Sequence, residues 1–346
     1  MTHVAIFVWM AVQSAPAATL YTIEAFGPVD GNVSIVTDLN NRGQVVGDTF
    51  NRLGSGPPFI YGNGVFSLQW PSAGRFWAIN DQGTAVGAVY VPGGSRAVIH
   101  SNGVTSFLPG VPEANSGAQA INNAGDIVGW AVAVSGMPSR PFVYRGGVFM
   151  DLGPLLTGPF GTSQGIADAI NIHGQIAGTA GTTGMFTGQL FLTSNGIPMP
   201  MGVDAYIAYT SLNDAGNLSF QCGAWFGGPI LSEQELGFCP QDLNNRGEVV
   251  GWNRQDNISW LWSNGVATRL DGQLVNGGGW TLLRAAAIND LGQIAGRGIL
   301  NGEEKGFLMT PLEEAPDPIP EPGSLTLVCA GFAGLCVIRL RRKAGR

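Results

Sequence analysis

Short runs of apolar and β-branched residues, separated by turns rich in Asn and Gly, fill the chain between its two ends. Such runs predict β-strands joined by tight turns. One turn pattern, N-x-x-G, recurs; its Asn can close an Asx-turn, and its Gly can take a positive φ. The Asn residues of this pattern stand at positions 40, 80, 122, 171, 213, 244 and 289.

Each N-x-x-G turn is followed by the same kind of segment. A short strand such as QVVG or DIVG comes first, and in most copies an aromatic strand, a Gly-containing turn and another strand follow, as in PPFIYGNGVFSL from Pro57. Four short strands in about 42 residues is the size of a β-propeller blade. The sequence therefore predicts an all-β, seven-bladed propeller over residues 18–312. A parallel β-helix, a form of β-solenoid, is the alternative, although its coils are usually shorter.

The last copy lacks its fourth strand, because it ends at Gly306–Leu312 without a further turn. An unclosed ring leaves strand edges unpaired. The segment Thr19–Gly27 has the pattern of the missing strand, so we predict that Leu20–Ala25 pairs with Lys305–Thr310 and closes the ring.

The two repeated elements together resemble the HAF repeat of bacterial extracellular repeat proteins over most of residues 38–312. The likeness rests on the I-N-x-x-G-x-V-x-G half. The slot that reads His-Ala-Phe in that family here reads Pro-Phe, Ala-Val, Gln-Leu-Phe or Trp-Leu. Copy five is the most divergent, since Phe220 replaces its second Gly.

Composition narrows the class of protein. Gly 53 and Pro 21 make up about one residue in five, which excludes a helical bundle because both are costly in helices. The net charge is −7, and residues 339–346 contribute +5, so the remainder carries −12. An acidic body does not suit nucleic acid, which needs a basic surface. With 3 His and 4 Cys, two of the Cys in an apolar C-terminal stretch, we expect neither a metal site nor a cofactor.

The N-terminus has the features of a secretory signal peptide over residues 1–17. An apolar core, Val4–Val12, precedes Ala15-Pro16-Ala17, which fits the small-x-small cleavage pattern. The region before the core has His3 but no Lys or Arg, so a short buried strand or a misassigned start remains the alternative. A leader implies passage through the export translocon.

The C-terminus combines three elements. A Pro-rich spacer at 313–319 precedes Pro320-Glu321-Pro322, and an apolar run follows. As a helix, Ser324–Leu340 would be about 26 Å long, which is slightly short for a bilayer core of about 30 Å. The basic tail that should stay in the cytoplasm contains Arg339, Arg341, Arg342 and Lys343.

This order of elements over residues 320–346 resembles the PEP-CTERM sorting signal of Gram-negative bacteria that produce exopolysaccharide. The resemblance implies that Pro320, Glu321 and Pro322 are recognised by an exosortase-type enzyme of the inner membrane. The precursor would be tethered to that membrane and then released or re-anchored at the surface or in the extracellular matrix. An ordinary C-terminal anchor is the alternative.

The candidate ligand surface is the end of the propeller that carries the longer, variable loops, because variable loops on a rigid scaffold often bind ligands. These loops are Gln69–Arg75, Ala131–Ser139, Gly153–Asp168, Asn253–Asn257 and Asp271–Leu282. Trp rings stack on sugars and Arg pairs with carboxylates, which suggests an anionic or neutral polysaccharide. Packing of the Trp rings between blades is the alternative. The candidate residues are Trp70, Arg75, Trp130, Trp252, Arg254 and Trp280.

The remaining motifs give little support for metal binding or catalysis. Asp38 and Asp242 begin turns that superficially resemble a calcium loop, but Arg42 and Arg246 stand where an oxygen ligand is needed. Cys222 and Cys239 are candidates for a disulfide, because export favours oxidation. No nucleophile, zinc or phosphate-loop motif is present in the sequence. The carboxylates considered for glycoside chemistry are Asp168, Asp204, Glu233 and Glu235.

The sequence thus predicts an exported, non-enzymatic repeat protein with a binding or structural role at the cell surface or in the exopolysaccharide matrix. A secreted polysaccharide-active enzyme on the same propeller is the alternative. Convergence of two carboxylates in one pocket at the loop-bearing end would favour the enzyme.

Overall fold

The computed structural model describes residues 19–27, 32–51, 54–113, 115–134, 137–153, 163–182, 187–194, 196–206, 210–220 and 223–312. The chain divides into one unit that ends at Pro311 and a second unit, Leu312–Arg346. The predicted leader and sorting signal lie outside the described residues. Within the described ranges, no helix has the length and apolar character needed to cross a membrane.

The described chain forms seven four-stranded antiparallel sheets, which are the blades of a seven-bladed β-propeller. The predicted all-β, seven-bladed propeller is confirmed, and the β-solenoid alternative is wrong. Blade 7 includes the N-terminal strand β1 (Tyr21–Phe26) as its outermost strand.

The strands of blades 1 to 4, from inner to outer, are β2 (Val33–Leu39), β3 (Val45–Asn51), β4 (Gly54–Gly62) and β5 (Val65–Leu68); β6 (Gly74–Ile79), β7 (Ala85–Val91), β8 (Gly94–Ser101) and β9 (Val104–Phe107); β10 (Asn115–Ile121), β11 (Ile127–Val132), β12 (Arg140–Arg145) and β13 (Val148–Asp151); and β14 (Ser163–Ile170), β15 (Ile176–Thr182), β16 (Thr187–Ser194) and β17 (Ile197–Tyr206).

Blades 5 to 7 contain β18 (Thr210–Leu212), β19 (Leu218–Phe220), β20 (Gly223–Trp225) and β21 (Ile230–Ser232); β22 (Cys239–Leu243), β23 (Val249–Trp252), β24 (Ser259–Ser263) and β25 (Val266–Arg269); and β26 (Trp280–Ile288), β27 (Ile294–Leu300) and β28 (Glu303–Pro311), followed by β1. A short helix, α1 (Glu233–Leu236), and a 3-10 turn, Asp271–Gln273, lie in the connections on either side of blade 6.

The hydrophobic core lies between neighbouring blades. The Phe of the repeated aromatic strand is fully buried in four blades, at Phe59, Phe142, Phe191 and Phe307. One cluster combines Phe59 of blade 1 with Leu308 of blade 7. The aromatic half of each repeat therefore fills the space between two blades, because a single sheet cannot bury both of its faces alone.

Strand β1 forms an antiparallel ladder with β28. Tyr21 lies opposite Pro311 and Phe26 lies opposite Gly306, one residue further along β1 and β28 than the sequence had suggested. The ring of Phe26 stacks on Tyr61 of blade 1 at 4.3 Å between centroids. The N-terminal strand is thus hydrogen-bonded to the last blade and packed against the first.

The Asn of every N-x-x-G turn is buried, with 2–5% of its surface exposed. Its Oδ1 accepts backbone N–H groups within its own turn; Asn122 accepts from Ala124 at 3.0 Å and from Asp126 at 2.9 Å. Its Nδ2 donates to the carbonyl of the corresponding Asn in the next blade at 2.9–3.2 Å. These bonds run from Asn40 through all seven copies, and Asn289 donates back to Asn40.

We expect Asn122→Ala to lower the free energy of unfolding by at least about 2 kcal/mol, because it leaves buried backbone groups without partners. Urea titration monitored by circular dichroism measures this change. Asn123→Ala, at the neighbouring exposed position, is the matched control. It should lower the free energy of unfolding by less, because water replaces the hydrogen bonds of the Asn123 side chain. Equal costs for the two variants would contradict a special role for the buried amide.

Candidate functional site

The seven inner strands surround an axial channel with two different ends. We call the end formed by the N-x-x-G turns the Asn face, and the opposite end, where the variable connections lie, the loop face. A cavity of about 220 Å³ at the Asn face is lined by the seven Asn residues and their neighbours. A second cavity of about 550 Å³, here called the axial cavity, lies towards the loop face and is lined by residues of all seven inner strands.

A β-bulge in the inner strand aims one residue of most copies into the axial cavity. In β6, Phe76 pairs with Gly87 and Ala78 pairs with Val86, so Trp77 is the extra residue. The same shift occurs in six inner strands, always three residues before the Asn, and β18 begins at that position. We call these the bulge positions; they are Thr37, Trp77, Gln119, Asp168, Thr210, Gln241 and Ala286, and all of them line the axial cavity.

The second Gly of the repeat is required by this bulge. A Cβ on Gly87 would collide with the carbonyl oxygen of Arg75, five residues before the Asn. Copy five has Phe220 in this place, and the residue five before its Asn lies outside the described residues. The same collision would occur at Gly47, Gly129, Gly178, Gly251 and Gly296.

The residues at the bulge positions differ between copies. The Asn never changes, and the residue before it is always Leu or Ile, whereas the bulge positions include Ala, Thr, Gln, Asp and Trp. These positions were not predicted from the sequence. The sequence contains a signal for them, because they vary close to the invariant Asn and to the Leu or Ile that precedes it.

Arg75 is the predicted ligand-surface residue that lines the axial cavity itself. Its Nε lies 2.5 Å from Oδ1 of Asp48, and its Nη2 lies 3.2 Å from Oδ2. The Asp48 side chain is fully buried, so this bidentate pair between blades 1 and 2 fixes the guanidinium at the wall of the cavity.

Two predicted Trp residues stand beside the cavity wall. The guanidinium of Arg284, which lines the cavity, lies over the ring of Trp252 at 4.1 Å. Trp130 and Trp77 both approach Gly117, where a Cβ would meet the two rings. The loop face therefore has aromatic surface at two places around the axial cavity.

The other three predicted ligand-surface residues lie elsewhere. Trp70 packs on Phe107 at 5.8 Å between ring centroids, and Trp280 packs edge-on against Phe307 at 6.1 Å. Both are partly buried against the blade cores, as in the packing alternative. Arg254 pairs with Glu233 at 3.2 Å, and neither side chain lines the axial cavity.

Among the described residues, three carboxylates line the axial cavity: Asp38, Asp168 and Asp242. Of the four carboxylates considered for glycoside chemistry, Asp168 is the one found here. Glu235 is held by Ser232 in a capping box at α1, and the side chain of Asp204 lies outside the described residues. Asp38 and Asp242, which had suggested calcium, instead accept backbone N–H groups that join adjacent blades.

Burial, and after it the negative charge of Asp242, raises the pKa of Asp38 to about 7, against the opposing hydrogen bonds from Ile79 and Leu39. Burial likewise raises the pKa of Asp242 to about 6, against a 2.6 Å hydrogen bond from the Ser211 hydroxyl. Each carboxylate is therefore partly protonated near neutral pH.

The remaining predictions concern metals and cysteines. Across the described part of the chain, no three His, Cys, Asp or Glu side chains are grouped for a metal ion. Cys239 is buried at the start of β22, and Arg254 Nη2 lies 3.5 Å from its Sγ. Cys222 lies outside the described residues, so a disulfide between the two stays a prediction.

No protein-family model matches the chain. No curated protein matches it either. Among solved structures it is similar to the β-propeller domain of the Trilobed protease from Pyrococcus furiosus, described as having an open velcro topology, with TM-score 0.51 and 10% identity over 84% of this chain and 99% of that one. It is also similar to YCF48 bound to D1 peptide, with TM-score 0.52 and 12% identity over 87% and 99%. At these identities the similarity shows the propeller fold alone.

The raised pKa of Asp38 predicts how stability depends on pH. The folded-state pKa lies above the unfolded value of 3.8, so the stabilisation from its bound proton is present below about pH 4 and is lost as the pH rises through about 7. We expect Asp38→Asn to gain stability relative to the wild type between pH 4 and pH 8, measured by urea unfolding. Glu113→Gln, at a side chain 80% exposed, is the control. A difference independent of pH would contradict this assignment.

Proposed function

We propose that this protein is an exported propeller that binds a polysaccharide through its axial cavity, at the cell surface or in the exopolysaccharide matrix. The observation that carries the proposal is the loss of sevenfold repetition at the bulge positions. The buried Asn that maintains the scaffold is the same in every copy, whereas the residues that line the axial cavity at the bulge positions differ, as contact with an asymmetric ligand requires. A volume of about 550 Å³ lies in the range of small-ligand sites.

The chemistry of the lining supports a sugar ligand. Trp77 supplies an aromatic surface on which the apolar side of a sugar ring stacks. The amide of Gln119 can donate to and accept from hydroxyl groups, and Oε1 of Gln241 can accept from them while its Nε2 donates to the Pro240 carbonyl at 2.7 Å. The cavity therefore combines one apolar platform with several polar groups, as ligand sites generally do.

We also propose that β1 closes the ring. Its ladder with β28 supports this, because it supplies the fourth strand that the last copy lacks. The hydrogen bond from Asn289 to Asn40 joins the last copy to the first at the opposite edge of the same blade. A closed ring would hold the bulge positions at fixed distances from one another, which a binding cavity requires.

Export and sorting belong to the proposal through the two chain ends. The resemblance of residues 320–346 to a PEP-CTERM signal supports processing by an exosortase-type enzyme, and residues 1–17 support use of the export translocon. The HAF-type repeat supports an extracellular location. The proposed precursor is tethered in the inner membrane of a Gram-negative bacterium before it reaches the surface.

One observation supports the alternative function, a polysaccharide-active enzyme. Asp38, Asp168 and Asp242 line the same cavity, and two of them have raised pKa values, as general acids often do. Asp38 and Asp242 each accept a backbone N–H group from the adjacent blade, which gives both carboxylates a structural role. Binding is therefore the preferred function. If the protein depolymerises the host exopolysaccharide and Asp168→Asn abolishes this activity, the enzyme is the favoured function.

The binding proposal predicts that Trp77→Ala weakens retention of the protein on immobilised host exopolysaccharide by about tenfold or more, because an aromatic platform is lost. Affinity electrophoresis measures this change. Arg254→Gln, which alters the same end of the propeller outside the cavity, should leave retention unchanged. Unchanged retention of a folded Trp77→Ala variant would contradict the proposed site.

The sorting proposal predicts that replacing Pro320, Glu321 and Pro322 by alanine leaves the tail uncleaved. Mass spectrometry of the surface fraction should then find peptides that end at Arg346 in the variant but not in the wild type. Glu314→Ala, in the spacer, is the control and should be processed normally. Wild-type surface protein that retains Arg346 would support an ordinary anchor instead.

A further inference from the structure

Two aromatic side chains at the loop face are exposed to solvent. Phe50, near the end of β3 in blade 1, is 45% exposed, and Tyr90, near the end of β7 in blade 2, is 51% exposed. Every other aromatic side chain that the structure describes is buried or half-buried. Single exposed apolar side chains are common on protein surfaces, whereas neighbouring ones mark contact surfaces. The pair therefore indicates a contact with another molecule.

Phe50 and Tyr90 occupy the same place in the repeat, three residues after the second Gly. The other five copies have different residues at this place, counted from Phe220 in copy five; they are Val132, Gly181, Gly223, Arg254 and Ile299. The scaffold therefore does not require an aromatic residue here. Two neighbouring blades have one, so the feature is confined to one sector of the loop face.

The inner strand of blade 2, β6, lies between the strands that carry the two aromatic residues. On one side, β7 is hydrogen-bonded to it, and the N–H group of Tyr90 donates to the Ala73 carbonyl at 2.9 Å just before β6 begins. On the other side, β3 packs against β6, with Val46 and Phe76 in one core cluster. The chain at this level is Ala73-Gly74, whose side chains are a methyl group and a hydrogen atom.

The same strand leads from the loop face into the axial cavity. It begins at Gly74 and continues through Arg75 to Trp77, and both of these side chains line the cavity. Gly74 lies three residues before Trp77, which is about 10 Å along an extended strand and longer than one sugar ring. Asp48, which binds Arg75, lies two residues before Phe50 on β3. A ligand bound at Trp77 can therefore reach the exposed aromatic pair only if it is a chain.

From this placement we infer that the bound polysaccharide extends from the axial cavity along β6 to the loop face. One sugar ring lies on Trp77, and later rings of the same chain lie on Tyr90 and Phe50, because aromatic side chains offer an apolar surface for sugar rings. The inference rests on the proposed function and makes it more specific. The ligand is a chain several sugar residues long rather than a free monosaccharide, and blades 1 and 2 carry its outer binding site.

The test measures how affinity depends on the length of the ligand. Fragments of the host exopolysaccharide, made by partial acid hydrolysis and separated by size, are titrated into the exported protein by isothermal titration calorimetry. We expect pentasaccharides to bind about tenfold or more tighter than disaccharides, because only the longer fragments reach the aromatic pair. In a double variant, Phe50→Ser with Tyr90→Ser, pentasaccharides should bind no tighter than disaccharides, and disaccharide binding should not change.

Two controls separate the loss of the rings from a general effect on the surface. Phe50→Tyr with Tyr90→Phe keeps both rings and should keep the length dependence. Val266→Ser removes an apolar side chain that is 62% exposed at the start of β25, in blade 6, and should change nothing.

Three results would overturn this inference and leave the proposed function standing. They are affinity that does not depend on length, a length dependence that persists in the double variant, and equal weakening of short and long fragments by that variant. Failure of every fragment to bind the wild type would overturn both the inference and the proposed function.

Discussion

The structure depends on one buried amide that occurs in every repeat. The Asn side chain of the N-x-x-G turn satisfies backbone donors in its own turn and donates to the corresponding carbonyl of the next blade. A buried amide has few ways to satisfy both its oxygen and its nitrogen, so its position is tightly restricted. Because each copy fixes the next, the spacing of the inner strands is set at the axis rather than at the rim.

The residues that directly follow the Asn residues are half-buried or exposed, and they form a second, less regular circle of hydrogen bonds. Asn41, Asp81 and Asp290 exchange backbone and side-chain hydrogen bonds between blades. Ile172 occupies the corresponding place in blade 4, where it is 42% exposed. Water can replace a hydrogen bond at a position that is at least partly exposed, but not at a buried one. The circle of residues after the Asn residues can therefore be interrupted at Ile172, whereas the circle of buried Asn residues is continuous.

The sequence predicted much of the fold because its turns are local. An Asn followed by a positive-φ Gly specifies a hairpin within five residues, and seven such hairpins specify the number of blades. The bulge at Trp77 could not be read in this way, because it depends on the approach of the Arg75 carbonyl to Gly87 on a different strand. The sequence also could not predict which way the Trp280 side chain points, because the irregular connection before β26 determines which face of the strand carries it.

The bulge and the second Gly together separate the residues that maintain the fold from those that line the axial cavity. A bulge adds a residue that takes no part in the ladder, so its side chain can change without loss of strand pairing. The Gly on the neighbouring strand preserves the space that the bulged backbone needs, whatever that side chain is. Trp77, Asp168 and Ala286 can therefore occupy equivalent places in nearly identical blades. A symmetric frame with one unconstrained position per copy can enclose a cavity with an aromatic, an acidic and a small sector, and this asymmetry is what a distinct ligand requires.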